Sequence, residues 1–166
     1  LYRFDLATRE PTKIDTDFAN ENNNDHTLSF DGKMLAISHR RDAESNSIVY
    51  TVPAEGGVPK EITPVGPSYL HGWSPDGTTL VFTGGRDGNH DVYSIASDVS
   101  GEEQRLTTWE GLDDGPEFSP DGSFIYYNST ASRPHGNKRM QIWRMPPGGY
   151  EHEQVTDDEF NNWFPH

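Results

Sequence analysis

Hydrophobic residues in this chain come in short alternating runs, and no segment keeps the three- and four-residue spacing of an amphipathic helix. Met34-Leu35-Ala36-Ile37, Leu80-Val81-Phe82 and Phe124-Ile125-Tyr126-Tyr127 each follow closely on an Asp-Gly pair. That order predicts a strand leaving a tight turn, because Gly accepts a positive φ without steric cost and Asp bonds the backbone two residues on. A second set alternates aliphatic and aromatic with polar residues: Leu1-Tyr2-Arg3-Phe4, Val49-Tyr50-Thr51-Val52, Val92-Tyr93-Ser94-Ile95 and Ile142-Trp143-Arg144-Met145. A third set carries one aliphatic residue at its centre or end, as in Lys13-Ile14, Glu61-Ile62-Thr63, Arg105-Leu106-Thr107 and Gln154-Val155-Thr156. All three patterns predict strands.

The runs belong to a repeat. Ser29-Phe30-Asp31-Gly32, Ser74-Pro75-Asp76-Gly77 and Ser119-Pro120-Asp121-Gly122 share a Ser-x-Asp-Gly frame at a spacing of 45 residues. Four short strands per period, joined by tight turns, predict one antiparallel blade of a β-propeller, so the expected fold is all-β. The expected blades cover residues 26–63, 69–108 and 114–156, with the two outer strands of a preceding blade at 1–14 and the start of a following one at 157–166. The 166 residues hold about 3.7 such repeats.

Composition agrees with thin blades. Apolar residues make up only 31%, about 41% with Gly included, against the roughly 45–50% of ordinary domains. Disorder would be the plain explanation, but 4 Trp, 7 Tyr and 8 Phe are too many for a chain that does not collapse. The 16 Gly and 12 Pro fit many turns. Acidic residues outnumber basic ones 27 to 13, a net charge of −14, which argues against nucleic acid as a partner because phosphate contact needs a basic face. No run of about 20 apolar residues is present to insert into a membrane. With no cysteine, disulfides and thiolate chemistry are excluded.

Trp73-Ser74-Pro75-Asp76-Gly77, Phe118-Ser119-Pro120-Asp121-Gly122 and Gly85-Arg86-Asp87-Gly88-Asn89-His90-Asp91-Val92-Tyr93 resemble the repeat of TolB-type propellers. The first repeat departs from it, reading Ser-Phe-Asp-Gly, and no TolB-like amino-terminal α/β domain is present. The resemblance implies a six-bladed ring, completed by a longer parent chain or by a homodimer. It implies a periplasmic location, with the cytoplasm as the alternative, and a non-catalytic role: a protein or peptide partner, such as an envelope lipoprotein, held at the loop face and channel mouth. The same repeat occurs in oligogalacturonate lyases and in the gating propellers of serine peptidases, and these are the two alternative readings.

Candidate site residues follow from the propeller layout, in which the loops entering each innermost strand and those between second and third strands emerge on one face. Those loops carry the binding candidates Arg40, Arg86, Arg133, Asp113, Asp114 and Trp163. Arg86-Asp87-Gly88-Asn89 also reads as turn chemistry. No cofactor is expected. The alternative is a divalent metal held by imidazole and carboxylate groups near the innermost strands, from His26, His71, Glu117 and His166. Against it, adjacent strand residues face opposite ways, so these four do not all point inward. The chain has no Gly-x-Ser-x-Gly elbow, His-Glu-x-x-His, phosphate loop or dinucleotide fingerprint.

Overall fold

The structure, a computed structural model, describes residues 1–41, 47–131 and 139–165. A two-stranded pair, β1 (Tyr2–Phe4) and β2 (Pro11–Lys13), precedes three four-stranded antiparallel sheets. The first sheet runs in the order β3 (Asn22–Leu28), β4 (Met34–Arg40), β5 (Ser47–Pro53), β6 (Lys60–Glu61). The second consists of β7 (Ser68–Trp73), β8 (Thr79–Arg86), β9 (Asn89–Ala96) and β10 (Gln104–Arg105). The third is β11 (Asp113–Phe118), β12 (Ile125–Ser129), β13 (Gln141–Met145) and β14 (Glu153–Gln154). Each sheet is a meander in chain order, which is the blade of a propeller. No helix occurs among the described residues, and residues 157–165 carry no strand.

The Ser-x-Asp-Gly repeat is a hydrogen-bonded lock. Ser29 Oγ donates to Asp31 Oδ1 at 2.7 Å and accepts from the Met34 N–H at 3.0 Å, while Asp31 Oδ1 accepts from the Lys33 N–H at 3.1 Å. Ser74 with Asp76 and Ser119 with Asp121 repeat the arrangement, each at 2.6 Å. Gly32, Gly77 and Gly122 take φ values of 73°, 74° and 72°, the left-handed region that a Cβ disfavours. At the far side of each blade a threonine does the equivalent work. Thr63, Thr107 and Thr156 Oγ1 accept the N–H groups of Val49, Val92 and Ile142 at 3.0, 2.9 and 2.9 Å, tying the fourth strand to the third.

Alternation along the strands makes the core. Leu35, Ile37, Ile48, Tyr50 and Val52 pack toward β1 and β2 with Leu1 and Ile14, while Ala36 and Val49, on the other face of the same strands, pack on Leu70, Leu80, Phe82, Tyr93 and Ile95 of the second sheet. Val81 and Val92 turn the opposite way and meet Phe118, Ile125, Tyr127, Trp143 and Met145 of the third. The first two sheets are thus buried on both faces by period-2 patterning, while the third is buried on the face toward the second and leaves Tyr126, Ile142 and Arg144 part-exposed on the other. The innermost strands approach closely: β7 packs on β3, and β11 on β7.

Candidate functional site

Each innermost strand contains a register shift, between Asn22 and His26 in β3, Leu70 and Gly72 in β7, and Asp114 and Glu117 in β11. Bulges of this kind re-aim side chains that strict alternation would place elsewhere. At the end of the stack where β3, β7 and β11 begin and β8 turns into β9, they open a pocket of about 290 Å³. Asn24 and Asp25 enter it from β3, Tyr69 and His71 from β7, and Asp114 from β11, with Thr83, His90, Leu112 and Phe164 completing the wall.

The centre of this pocket is the contact of His71 Nε2 with Asp114 Oδ1 at 3.1 Å. Thr83 Oγ1 donates to the same oxygen at 2.8 Å, and the Gly115 N–H donates to it at 2.9 Å. Burial pushes the Asp114 carboxyl up, yet these three partners outweigh it and hold the group below its ordinary value, so it stays ionised. Asp25 lacks such a set. Burial raises it above the usual carboxylate range, although His71 and the amide of Asn23, which donates to Asp25 Oδ2 at 2.8 Å, pull the other way. The ring of Phe164 stacks on His71 at 5.7 Å between centroids and 27° between planes, and its backbone N–H donates to Asn128 Oδ1 at 3.1 Å. The result is a recess with one apolar wall, two carboxylates of unlike basicity and an imidazole between them. It can hydrogen-bond to and stack on a guest.

The expected site residues scatter. Asp114 and His71 come together here, and Trp163 lies beside Phe164 at 5.8 Å, half exposed. Arg40 is exposed at the end of β4. Arg86 is drawn inward: its Nε and Nη2 bind both oxygens of Glu103 at 2.8 and 2.9 Å, and its Nη groups donate to the carbonyls of Pro67, Gly85 and Val65 and to Ser68 Oγ. Only 11% of its side chain is exposed, so it clamps the loop before β7 to the β8–β9 turn and does not present charge to a guest. Asp113 points the other way from Asp114 and is 1% exposed, between the second and third sheets. Among the metal candidates, His26 is exposed with Nδ1 3.0 Å from the Asn24 carbonyl, and Glu117 lies beyond the β11 bulge, three residues from Asp114. Arg133 and His166 lie outside the described residues. Among the described residues no three His, Asp or Glu side chains are arranged to hold a metal ion. Tyr69, Thr83 and His90 belong to the pocket without having been singled out by sequence. The Gly-Asn-His sequence after Arg86, which ends the tight turn beside the mouth, was the available signal for His90.

A solved structure of a candidate TolB from Agrobacterium tumefaciens superimposes on 99% of this chain with a TM-score of 0.91 and 46% identity. The fold is that of a TolB-like β-propeller. TolB from Acinetobacter baumannii shares it at a TM-score of 0.76 and 22% identity over 98% of the chain. By sequence the TolB-like chain is 46% identical, over its whole length, to an uncharacterized protein of Agrobacterium fabrum. It spans 55% of that relative, 57% of the A. tumefaciens structure and 39% of the A. baumannii one. No family model matches the chain. An oligogalacturonate lyase in complex with manganese and the tricorn protease share the fold alone with the TolB-like chain, at 20% and 18% identity. No helix of the described residues is long and apolar enough to cross a membrane.

Proposed function

We propose that the protein is a non-catalytic TolB-like binding propeller of the periplasm that holds an extended segment of a protein partner, such as an envelope lipoprotein, at the mouth where β3, β7 and β11 begin. The observation that carries this reading is the convergence of Asp25, His71 and Asp114 from three successive sheets on one recess, beside the aromatic wall of Phe164. Each group sits on a strand pinned by its neighbours, so little ordering entropy is lost when a guest docks. Loops set on a rigid scaffold are also where recognition is usually found. The charged guest-binding role first assigned to Arg86 passes to this recess, because Arg86 is already saturated by protein partners.

A photo-crosslinking residue at Tyr69, in the mouth, tests the reading against one at Ser123, in the turn at the opposite end of the blades. The Tyr69 probe should capture a defined protein from envelope extract. His71→Ala or Asp114→Asn should lower that capture tenfold or more. Equal capture from Ser123, or capture indifferent to both substitutions, contradicts the proposal.

A further inference from the structure

Away from the mouth pocket, the seam between the second and third sheets buries two carboxylates against one cation. Asp91, on β9, is fully buried, and Asp113, at the start of β11, is 1% exposed. Arg105 Nη2 binds Asp91 Oδ2 at 2.6 Å, and Arg105 Nε donates to the Thr107 carbonyl at 3.0 Å. The Asn89 amide also donates to the Asp91 oxygens at 3.1 Å. Asp91 is therefore satisfied as an anion.

Asp113 is not. Its hydrogen-bond partners are the hydroxyls of Ser129 and Thr107, and its Oδ2 is buried with no partner at all. Thr107 has a single hydroxyl proton, which also faces Asp91 Oδ1 at 3.4 Å, so the two carboxylates compete for it. The charged and titratable groups around Asp113 are Asp91 from β9, Arg105 from β10 and Tyr127 from β12, whose hydroxyl lies 2.8 Å from His152 Nδ1. His90 pairs along the backbone with Leu112, next to Asp113 in the chain. Arg105 is committed to Asp91, and burial raises the Tyr127 hydroxyl, which stays neutral. A buried unpaired carboxylate oxygen is far costlier than a buried neutral carboxyl.

We propose that the seam holds one negative charge instead of two, with a proton on Asp113, and that loss of this proton loosens the contact between the second and third sheets. The device is a pH-sensitive latch that tightens on mild acidification, independent of what the mouth binds. Burial, opposed by Ser129 and Thr107 and reinforced by Asp91, pushes the Asp113 carboxyl up to about 6. Because the folded value lies above the ordinary 3.8, the folded state binds the proton more tightly between roughly pH 4 and 6. The stabilisation is fully present below that window and is lost as pH rises through about 6.

Two measurements on the native protein and on Asp113→Asn test this. Carboxyl carbon NMR should place the Asp113 titration near pH 6, well above that of an exposed aspartate. Amide exchange at Leu112, Thr130 and Val92, corrected for the intrinsic pH dependence, should report seam opening that grows about tenfold from pH 5 to pH 8, the part of the change from 3.8 to about 6 that lies above pH 5. In Asp113→Asn, which keeps the hydroxyl contacts without a charge, that growth should vanish. An ordinary aspartate titration overturns the proposal. So does the same pH dependence of opening in the variant; should the variant fail to fold, the titration of the native protein decides alone.

Discussion

Gly72 offers the sharpest test of how the innermost strands pack. It lies just past the β7 bulge, opposite Val81, with no left-handed φ to explain a glycine. A Cβ built there would meet Val81 Cγ2 at 3.1 Å, the Pro116 carbonyl oxygen at 3.2 Å and Glu117 Cα at 3.3 Å. Two of these three neighbours are backbone of the adjacent sheet, so Gly72→Ala is relieved only if β7 and β11 separate by a few tenths of an ångström. Overpacking of this kind costs about 1–3 kcal/mol, while the smaller conformational freedom of Ala in the unfolded chain returns about 0.4–1 kcal/mol. The net expectation is a loss of about 1–2 kcal/mol. Gly101 supplies the control: it also lacks a left-handed φ, and a Cβ there meets nothing within 4 Å. Gly101→Ala should therefore gain about 0.4–1 kcal/mol. Urea unfolding, followed by circular dichroism and by the fluorescence of the neighbouring, buried Trp73, gives both values on one scale. If Gly72→Ala proves as stable as Gly101→Ala at unchanged m, the close approach of the inner strands is wrong.

Other consequences can be measured on the same variants' footing. Arg86→Lys keeps the charge but loses the fork on Glu103 and the carbonyl contacts, and should cost about 2 kcal/mol in urea unfolding. Phe82→Ala, at a fully buried ring stacked 5.6 Å from Tyr93, should cost about 3–5 kcal/mol and lower Tm accordingly. Ser and backbone donors hold the Asp31 and Asp121 carboxyls at about 2. Their folded values lie below the unfolded one, so their contribution is present above about pH 4 and lost as pH falls toward 2. Together with Asp113, whose contribution declines above about pH 4 and is gone past about 6, these groups place the stability maximum near pH 4; a thermal-unfolding series peaking instead at pH 8 would exclude it.

The blades were readable because their determinants are local and repeat. Ser and Asp two residues apart, Gly after them, and Thr after the aliphatic residue of the fourth strand each act within one hairpin, so period and chemistry coincide. The site was readable only in part. His71 and Asp114 occupy different places in the repeat, and bulges in β7 and β11 change which face their residues show. Arg86 looks like a loop cation until Glu103 and the carbonyls of Val65 and Pro67 are brought to it by the fold. Asp113 and Asp114 are indistinguishable by composition, yet one is sealed between sheets and the other faces the mouth. Residues 157–166, expected to begin another blade, include Phe164, stacked on His71, a contact that no repeat position specifies.

The most direct test of the proposed role is a hydrogen-exchange footprint of the protein with its captured partner bound. Binding at the mouth predicts protection at residues 22–26, 68–71 and 112–115, the starts of the three innermost strands, and its loss in His71→Ala. Protection confined to the Ser-x-Asp-Gly turns at 29–34, 74–79 and 119–124, at the opposite end of the blades, would contradict it.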